Sequence, residues 1–261
     1  MVIIGEKLNS SIPKTYNAFI DNDTEYIIGL IKAQEAAGAE YLDINTALSG
    51  DELSKMEKVV RLVLEHSSCG IMLDSTSPDV VVKTLPLIKN RKVIINSVTL
   101  AERIDAIIPV AVQYNAGVVA LPIGRYGMPK NASQRAENAF QLIEILTSNN
   151  IPKNNIYIDI LAEALATNQS SAVEAINAIG LIKERYPNIH IICGLSNVSY
   201  GLPKRININA AFLSAAVFAG LDTVIMDITS PAIKQILYAA LAVAGKDEYC
   251  MDYLEAIRES K

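Results

Sequence analysis

Short β-rich runs alternate with longer segments of helical periodicity along the whole chain, and this order leaves few folds open. The short runs are almost continuously apolar, which is typical of strands buried on both faces. The longer segments repeat apolar residues every three or four positions, as an amphipathic helix does. We predict strands at Val2–Asn9, Glu40–Thr46, Gly70–Ser75, Lys92–Val98, Gly117–Ile123, Asn155–Ile160, His190–Ser196 and Thr223–Ile228.

The predicted helices occupy the intervals between these strands. They lie at roughly Glu25–Ala37, Leu53–Glu65, Pro78–Lys89, Ala101–Tyr114, Ser133–Ser148, Ser171–Tyr186, Asn209–Ala219 and Pro231–Ala244, with one more helix expected after Gly245. Eight strand–helix units in 261 residues match the size of a (β/α)8 TIM barrel, and a doubly wound sheet is the alternative. No linker interrupts the alternation, so residues 1–261 are predicted to form a single barrel domain.

Acidic or amide side chains stand at the ends of most predicted strands, where the active sites of TIM barrels lie. They are Glu6, Asn9, Asp43, Asn45, Asp74, Asn96, Asp159, Asn197 and Asp227. Any one of them alone reads as a capping or turn residue. Four are embedded at the end of an apolar run, namely Asp74, Asn96, Asp159 and Asn197. Together these four favour a site, because an unpaired buried polar group costs about 1–3 kcal/mol.

The residue types at these strand ends disfavour several chemistries. We expect no lysine there for Schiff-base chemistry, and Lys7, within the first strand, is the nearest. The two histidines, His66 and His190, fall in a helix and at the opposite end of a strand, so no zinc site is predicted. A Mg²⁺ or Ca²⁺ site built from the strand-end aspartates stays open, but it leaves the amides unexplained.

Mixed carboxylates and amides suit a neutral heterocycle with donors and acceptors side by side. The 2-amino-4-oxo edge of a pterin offers an exocyclic amine and a ring N–H, which a carboxylate accepts as a pair. Its carbonyl accepts a hydrogen bond from an Asn amide. The residue pattern therefore favours a pterin pocket, which would reject analogues that lack these donors.

Several motifs carry a family resemblance across essentially the whole chain. They are GEKLN, YLDIN, MLDSTSPDVV, VIINSV, YIDI and, as the most specific, GLSNVSYGLPKRININ. They resemble the pterin-binding methyltransferases that move a methyl group between tetrahydrofolate and a corrinoid, including the folate-side enzymes of acetogens and of demethylase systems. The resemblance implies tetrahydrofolate or 5-methyltetrahydrofolate as the folate substrate, and a homodimer. The chain has no DxHxxG signature, so the corrinoid is expected on a separate protein.

Carried over by position, the resemblance assigns Asp74, Asn96 and Asp159 to hydrogen bonds with the pterin ring. Asn197 is then the residue near N5, the atom that carries the methyl group, and is the catalytic candidate. The other residues assigned to folate binding are Arg205, Glu6, Asn9, Asp43, Asn45 and Ser196. For Ser196 a capping or turn role is an equal alternative.

The implied reaction is an in-line displacement between N5 and cobalt. Because no histidine stands in the ring to protonate N5, we expect Asn197 to donate a hydrogen bond that strengthens in the transition state. A non-catalytic pterin-binding barrel is the first alternative. A dihydropteroate-synthase-like enzyme is the second, and it is disfavoured because that family uses a strand-end lysine and a longer loop after the first strand.

Charge and cysteine content bear on partners and location. The chain has 23 basic and 28 acidic residues and no basic run, so nucleic acid is not an expected partner. Neither a signal peptide nor a membrane span is predicted. The three cysteines lack CxxC spacing, which indicates reduced, buried thiols. We therefore expect a cytoplasmic protein.

Overall fold

The computed structural model describes residues 1–258, so the predicted domain end at residue 261 lies outside the described residues. Eight parallel strands each pair with the next along the chain, and the last pairs with the first to close a barrel. The strands are β1 (Val2–Asn9), β2 (Tyr41–Asn45), β3 (Gly70–Asp74), β4 (Val93–Val98), β5 (Gly117–Ala120), β6 (Ile156–Asp159), β7 (His190–Gly194) and β8 (Thr223–Met226). The predicted TIM barrel is confirmed.

The helices pack around the outside of this barrel. They are α1 (Pro13–Asp21), α2 (Thr24–Ala36), α3 (Glu52–His66), α4 (Pro78–Thr84), α5 (Ile104–Gln113), α6 (Ala132–Ser148), α7 (Ser171–Arg185), α8 (Arg205–Ala219), α9 (Pro231–Val243) and α10 (Met251–Arg258). The expected terminal helix is α10. The sequence did not predict α1, a nine-residue helix that begins with proline and buries only three side chains.

Several predicted boundaries were wrong, mainly where the chain leaves the barrel. The strand expected to reach Ser196 stops at Gly194, and a 3-10 turn, Leu195–Asn197, follows it. Helix α5 begins three residues later than predicted, after Arg103 in a left-handed conformation. Short turns at these points place polar side chains beyond the last hydrogen-bonded strand residues. The spacing of apolar residues does not predict such turns.

Two apolar layers separate the inside of the barrel from its outside. The layer inside the barrel consists of Ile4, Tyr41, Met72, Ile94, Val119, Tyr157 and Ile192. The larger layer fills the space between the strands and the helices. Successive side chains of a strand point to opposite faces. Positions two residues beyond the inner layer therefore also face inward, one step nearer the mouth. Five of these seven positions carry an acid or an amide, namely Glu6, Asp43, Asp74, Asn96 and Asp159.

Two glycines allow tyrosine rings inside the barrel. A Cβ atom added at Gly70 would lie 2.4 Å from the ring of Tyr41, and one at Gly117 would lie 2.8 Å from the ring of Tyr157. The rings close the barrel below the polar layer.

Cys69 and Cys193 are buried as predicted, whereas Cys250 is exposed, so the expectation of three buried thiols was wrong. Within residues 1–258, no helix has the length and hydrophobicity that a bilayer crossing requires.

Candidate functional site

Three neighbouring strands bring one group of predicted site residues together. Asn45 on β2 is in register with Asp74 on β3, and Asp74 is in register with Asn96 on β4. The Asn45 amide Nδ2 donates to Asp74 Oδ2 at 2.8 Å, and the Ser10 hydroxyl donates to Asn45 Oδ1 at 3.0 Å. The strand register alone therefore makes one continuous polar edge of the mouth.

Asp43 lies inside the barrel, one step deeper than Asn45, and is only 3% exposed. Burial raises the pKa of this carboxyl well above its usual range, and the charges of Asp74 and Glu6 raise it further, while a hydrogen bond with Asn9 opposes them. Its Oδ1 atom has no hydrogen-bond partner. Hydrogen-bonding capacity thus stays unused at the base of the mouth.

Asp159 ends β6 on the other side of the mouth. Its Oδ1 accepts a hydrogen bond from the backbone N–H of Leu161 at 2.7 Å. Burial raises the pKa of Asp159 to about 6, although that hydrogen bond and the charge of Arg135 act in the opposite direction. At neutral pH the carboxyl is therefore mostly ionised, and it can accept a pair of N–H donors.

Asn197 ends the 3-10 turn that follows β7. A Cβ atom on Gly194 would lie 3.0 Å from the Asn197 Nδ2 atom, so the missing side chain at Gly194 leaves room for the amide above the strand end. Asn197 and Asp159 line the same cavity, of about 390 Å³, together with Leu121, Met128 and Tyr200. A cavity of this size is within the usual range for small-molecule sites.

Glu6 and Arg205 hold the turn that carries Asn197 from two sides. The Ser196 hydroxyl donates to the Glu6 carboxylate, with its oxygens at 2.8 and 3.0 Å. Arg205 donates from Nε to the Ser199 hydroxyl at 3.0 Å and from Nη2 to the Ser196 carbonyl. Burial raises the pKa of Glu6, and the hydrogen bond from Ser196 opposes this. In this structure Glu6, Ser196 and Arg205 therefore support the turn.

The sequence matches the family described as pterin binding enzyme over residues 5–227. The chain belongs to this family. It is 32% identical over 265 aligned residues to the methylcorrinoid:tetrahydrofolate methyltransferase of Eubacterium limosum, covering 100% of this chain and 97% of that protein. It is also 32% identical over 241 residues to the methionine synthase of Mycobacterium tuberculosis, where the match covers 87% of this chain and 20% of the relative. The resemblance inferred from the sequence motifs is confirmed.

Solved structures of low sequence identity share the fold of this pterin-binding enzyme. A dihydropteroate synthase from Coxiella burnetii in complex with pteroic acid superposes with a TM-score of 0.69 at 15% identity, covering 93% of each chain. A Yersinia pestis dihydropteroate synthase with a pterine-sulfa conjugate gives 0.66 at 15% identity, covering 100% of this chain and 94% of the other. At this identity the likeness establishes the barrel fold alone.

The expectation of a lysine-free mouth in the pterin-binding enzyme was wrong. Lys7 Nζ lies 2.6 Å from Oδ2 of Asp227, which follows β8. The register between β1 and β2 shifts between Gly5 and Leu8, where β1 has one extra residue. This bulge brings the consecutive residues Glu6 and Lys7 both to the mouth, which the side-chain alternation of a regular strand does not do. The Lys7 ammonium group is engaged by a carboxylate there.

Two arginines near the site were not predicted from the sequence. Arg103 donates to the Ser75 carbonyl at 2.9 Å and to the Ser97 hydroxyl at 3.3 Å, and its charge lowers the pKa of Asp74, which burial raises. Arg135 lies on α6 and is 1% exposed. A signal for Arg135 does exist, since this charged residue interrupts the buried small-residue stripe of α6.

The open alternative of a hard metal ion gains no support. In the part of the chain that the structure describes, no three Asp, Glu, His or Cys side chains converge as a metal site would require. Asp74 instead accepts a hydrogen bond from the Asn45 amide, and Asp159 accepts one from a backbone N–H group.

Proposed function

We propose that this pterin-binding enzyme is a methyltransferase that moves a methyl group between N5 of tetrahydrofolate and the cobalt of a corrinoid carried on a separate protein. The observation that carries the proposal is the full-length similarity to a methylcorrinoid:tetrahydrofolate methyltransferase, in a chain with an acid and amide ring at its barrel mouth. A single pterin-binding barrel domain would hold the folate, and the corrinoid protein would approach the open mouth.

In this proposal the pterin ring lies across the mouth and hydrogen-bonds to Asp74, Asn96 and Asp159. The two acids suit paired N–H donors, and the amide suits a carbonyl. Binding would supply donors to a site whose buried acids have raised pKa values, which favours a ligand with N–H groups over an anion. Around the bound pterin, further hydrogen-bonding groups would come from Asn9, Asp43 and Asn45. These residues would contact the pterin or orient the side chains that do.

Asn197 is proposed as the catalytic residue. When the methyl group leaves N5, the N–C bond breaks, its electron pair stays on N5, and the reduced cobalt supplies the pair for the new cobalt–carbon bond. The charge on N5 changes during this step, so a hydrogen bond from Asn197 would be stronger in the transition state than in the ground state. Glu6, Ser196 and Arg205 would hold the amide in position. The same contacts serve transfer in either direction.

Location and assembly are further proposals. The family resemblance suggests a cytoplasmic homodimer that works in a demethylase or acetogenic system. Sedimentation analysis of the purified protein tests the dimer directly, because a monomer at micromolar concentration would contradict it.

The decisive experiment is a spectroscopic assay with tetrahydrofolate and methylcobalamin, in which cob(I)alamin formation changes the absorbance. We expect turnover that depends on both substrates. A non-catalytic pterin-binding barrel would instead show a higher melting temperature with tetrahydrofolate and no spectral change. A dihydropteroate-synthase-like enzyme would condense a pterin diphosphate with an aromatic amine and leave the corrinoid spectrum unchanged.

A further inference from the structure

Arg135 is a buried arginine whose position packing does not explain. Its Nε and Nη1 atoms have no hydrogen-bond partner. Each unsatisfied buried donor costs about 1–3 kcal/mol, and more when it belongs to a charged group. Its helical neighbours Ala132, Ala136 and Ala139 are buried alanines, and the buried Asn138 is satisfied by the Pro122 carbonyl. An apolar residue at position 135 would continue this surface without that cost, so the charge itself calls for an explanation.

The contacts of Arg135 lead to Asp159. Nη2 of Arg135 lies 3.5 Å from the carbonyl oxygen of Leu161, at the long limit of a hydrogen bond. Leu161 has φ of 51°, in the left-handed region that a leucine rarely adopts. The N–H group of this same residue donates to the Asp159 carboxylate. The guanidinium therefore contacts the one residue whose backbone fixes the orientation of Asp159.

Few titratable groups surround the Asp159 carboxyl. The charge of Arg135, on α6, lowers the pKa of Asp159, and the charge of Asp159 raises the pKa of the Cys193 thiol on β7, which burial already raises. Glu163 and Tyr200 line the same cavity as Asp159. Glu163, in the loop after β6, and Glu174, on α7, act on the charge of Arg135. The adjacent strand β5 is apolar throughout. Arg135 is thus the only cation among the described groups that act on Asp159.

We propose that Arg135 is a positioning residue that keeps the Asp159 carboxylate ionised and in place for the pterin of the folate substrate. The proposal rests on the proposed function and adds to it a residue outside the ligand cavity. A protonated Asp159 would present a hydroxyl group and accept only one N–H donor well, so pterin affinity follows its ionisation. Burial already raises the pKa of Asp159 to about 6, and loss of the Arg135 charge would raise it further, toward neutral pH.

The test compares tetrahydrofolate binding by titration calorimetry from pH 5.5 to 8.5 in wild type, Arg135→Gln, Arg135→Met and Arg135→Lys. In wild type we expect affinity to fall below about pH 6. In the Gln and Met variants the midpoint should rise by about one pH unit, which weakens binding about twofold at pH 7 and about fivefold at pH 6. Affinity should recover by pH 8.5, and the Lys variant should stay close to wild type.

A purely structural role would lower affinity equally at every pH, and that result would overturn the proposal, as would unchanged midpoints in both neutral variants. Arg185→Gln is the matched control, because this exposed arginine pairs with Glu144 far from the mouth. Melting temperatures establish that each variant is folded, and two neutral replacements of different polarity guard against the failure of one.

Carbon NMR of the Asp159 carboxyl in the ligand-free protein gives a second reading of the same shift. A higher Asp159 titration midpoint in the neutral variants supports the role of Arg135, and an unchanged midpoint overturns it, whether or not folate binds. A wild-type protein that binds no tetrahydrofolate at any pH would instead contradict the proposed function, so the two failures are distinguishable.

Discussion

Asp222, at the amino-terminal end of the barrel, has a partner for each carboxylate oxygen, whereas Asp43, at the mouth, keeps one oxygen without a partner. Its Oδ1 accepts from the backbone N–H of Ile191 at 3.1 Å and lies 3.3 Å from His190 Nδ1, and its Oδ2 lies 2.7 Å from Lys183 Nζ. At the mouth, Asp43 Oδ1 has no partner. The Asp222 side chain is 29% exposed and Asp43 is 3% exposed, so the two ends differ in burial as well as in partners.

The pKa directions of the two ends differ accordingly. Burial raises the pKa of Asp222, but the hydrogen bonds with His190 and Lys183 and their charges outweigh it, and the pKa is lowered. At the mouth burial prevails, and the pKa values of Asp43 and Asp159 are raised. At the amino-terminal end, the Asp222 carboxylate stabilises the fold. The mouth keeps acids that are costly to the ligand-free protein and available to a ligand with N–H donors.

The largest effect is expected for Asp74→Ala at the mouth. Removing one partner of a buried, charge-assisted contact typically costs about 2–5 kcal/mol, so tetrahydrofolate affinity should fall by that amount. Titration calorimetry measures it, with Asp222→Asn as the control at the other end of the barrel. Equal affinity in Asp74→Ala and wild type would remove Asp74 from the pterin site.

Asn197→Ala should come next and should affect the rate. Losing one donor that acts in the transition state costs about 10²–10³ in rate, while tetrahydrofolate binding stays within a few fold of wild type. Single-turnover methyl transfer, followed by corrinoid absorbance, separates the two quantities. A variant with the wild-type rate would refute the catalytic role, and equal losses in rate and binding would make Asn197 a binding residue.

Asp222→Asn should show the opposite pattern, with a loss of stability and no loss of function. The amide cannot balance the Lys183 charge, so the free energy of unfolding should fall by about 1–3 kcal/mol. Because the pKa of Asp222 is lowered, its contribution is present at neutral pH and is lost as the pH falls below its ordinary range. Denaturant unfolding at pH 7 and at about pH 2 measures this loss. Weaker tetrahydrofolate binding by the variant would contradict the distinction between the two ends.

The smallest effect is expected for Asp159→Asn, and it concerns the stability of the protein without ligand. In wild type the folded pKa of about 6 exceeds the ordinary 3.8, so Asp159 should make stability fall as the pH rises from about 4 to 6. The variant lacks this fall and should be more stable by about 1–2 kcal/mol at pH 7, although it binds tetrahydrofolate less well. Denaturant unfolding at about pH 4 and pH 7 measures this difference. If the unfolding curves of Asp159→Asn and wild type match at both pH values, the buried Asp159 carboxylate does not destabilise the ligand-free protein.

Much of this site could be predicted, because the periodicity of a strand shows which side chains face inward and the end of the strand shows which of them lie at the mouth. In a parallel barrel every strand delivers its last inward side chains to one mouth, so Asp43, Asn45 and Asp74 could be placed together from the strand pattern alone. Lys7 could not be placed there, because a bulge of one residue in β1 breaks the alternation on which the prediction depends. Arg135 was missed for a different reason, since its partner Leu161 lies 26 positions away in the chain.

The sequence by itself determined the barrel, the family and the identity of the polar ring, because apolar periodicity and strand-end chemistry are local properties of the chain. Only the tertiary structure decided which of those polar groups are satisfied. Asp159 ends a strand and Asp222 precedes one, so the sequence assigns them to opposite ends of the barrel, but it does not show which partners each of them has. Their different pKa directions come from burial and from charges brought together across the fold, and those depend on the coordinates of distant residues.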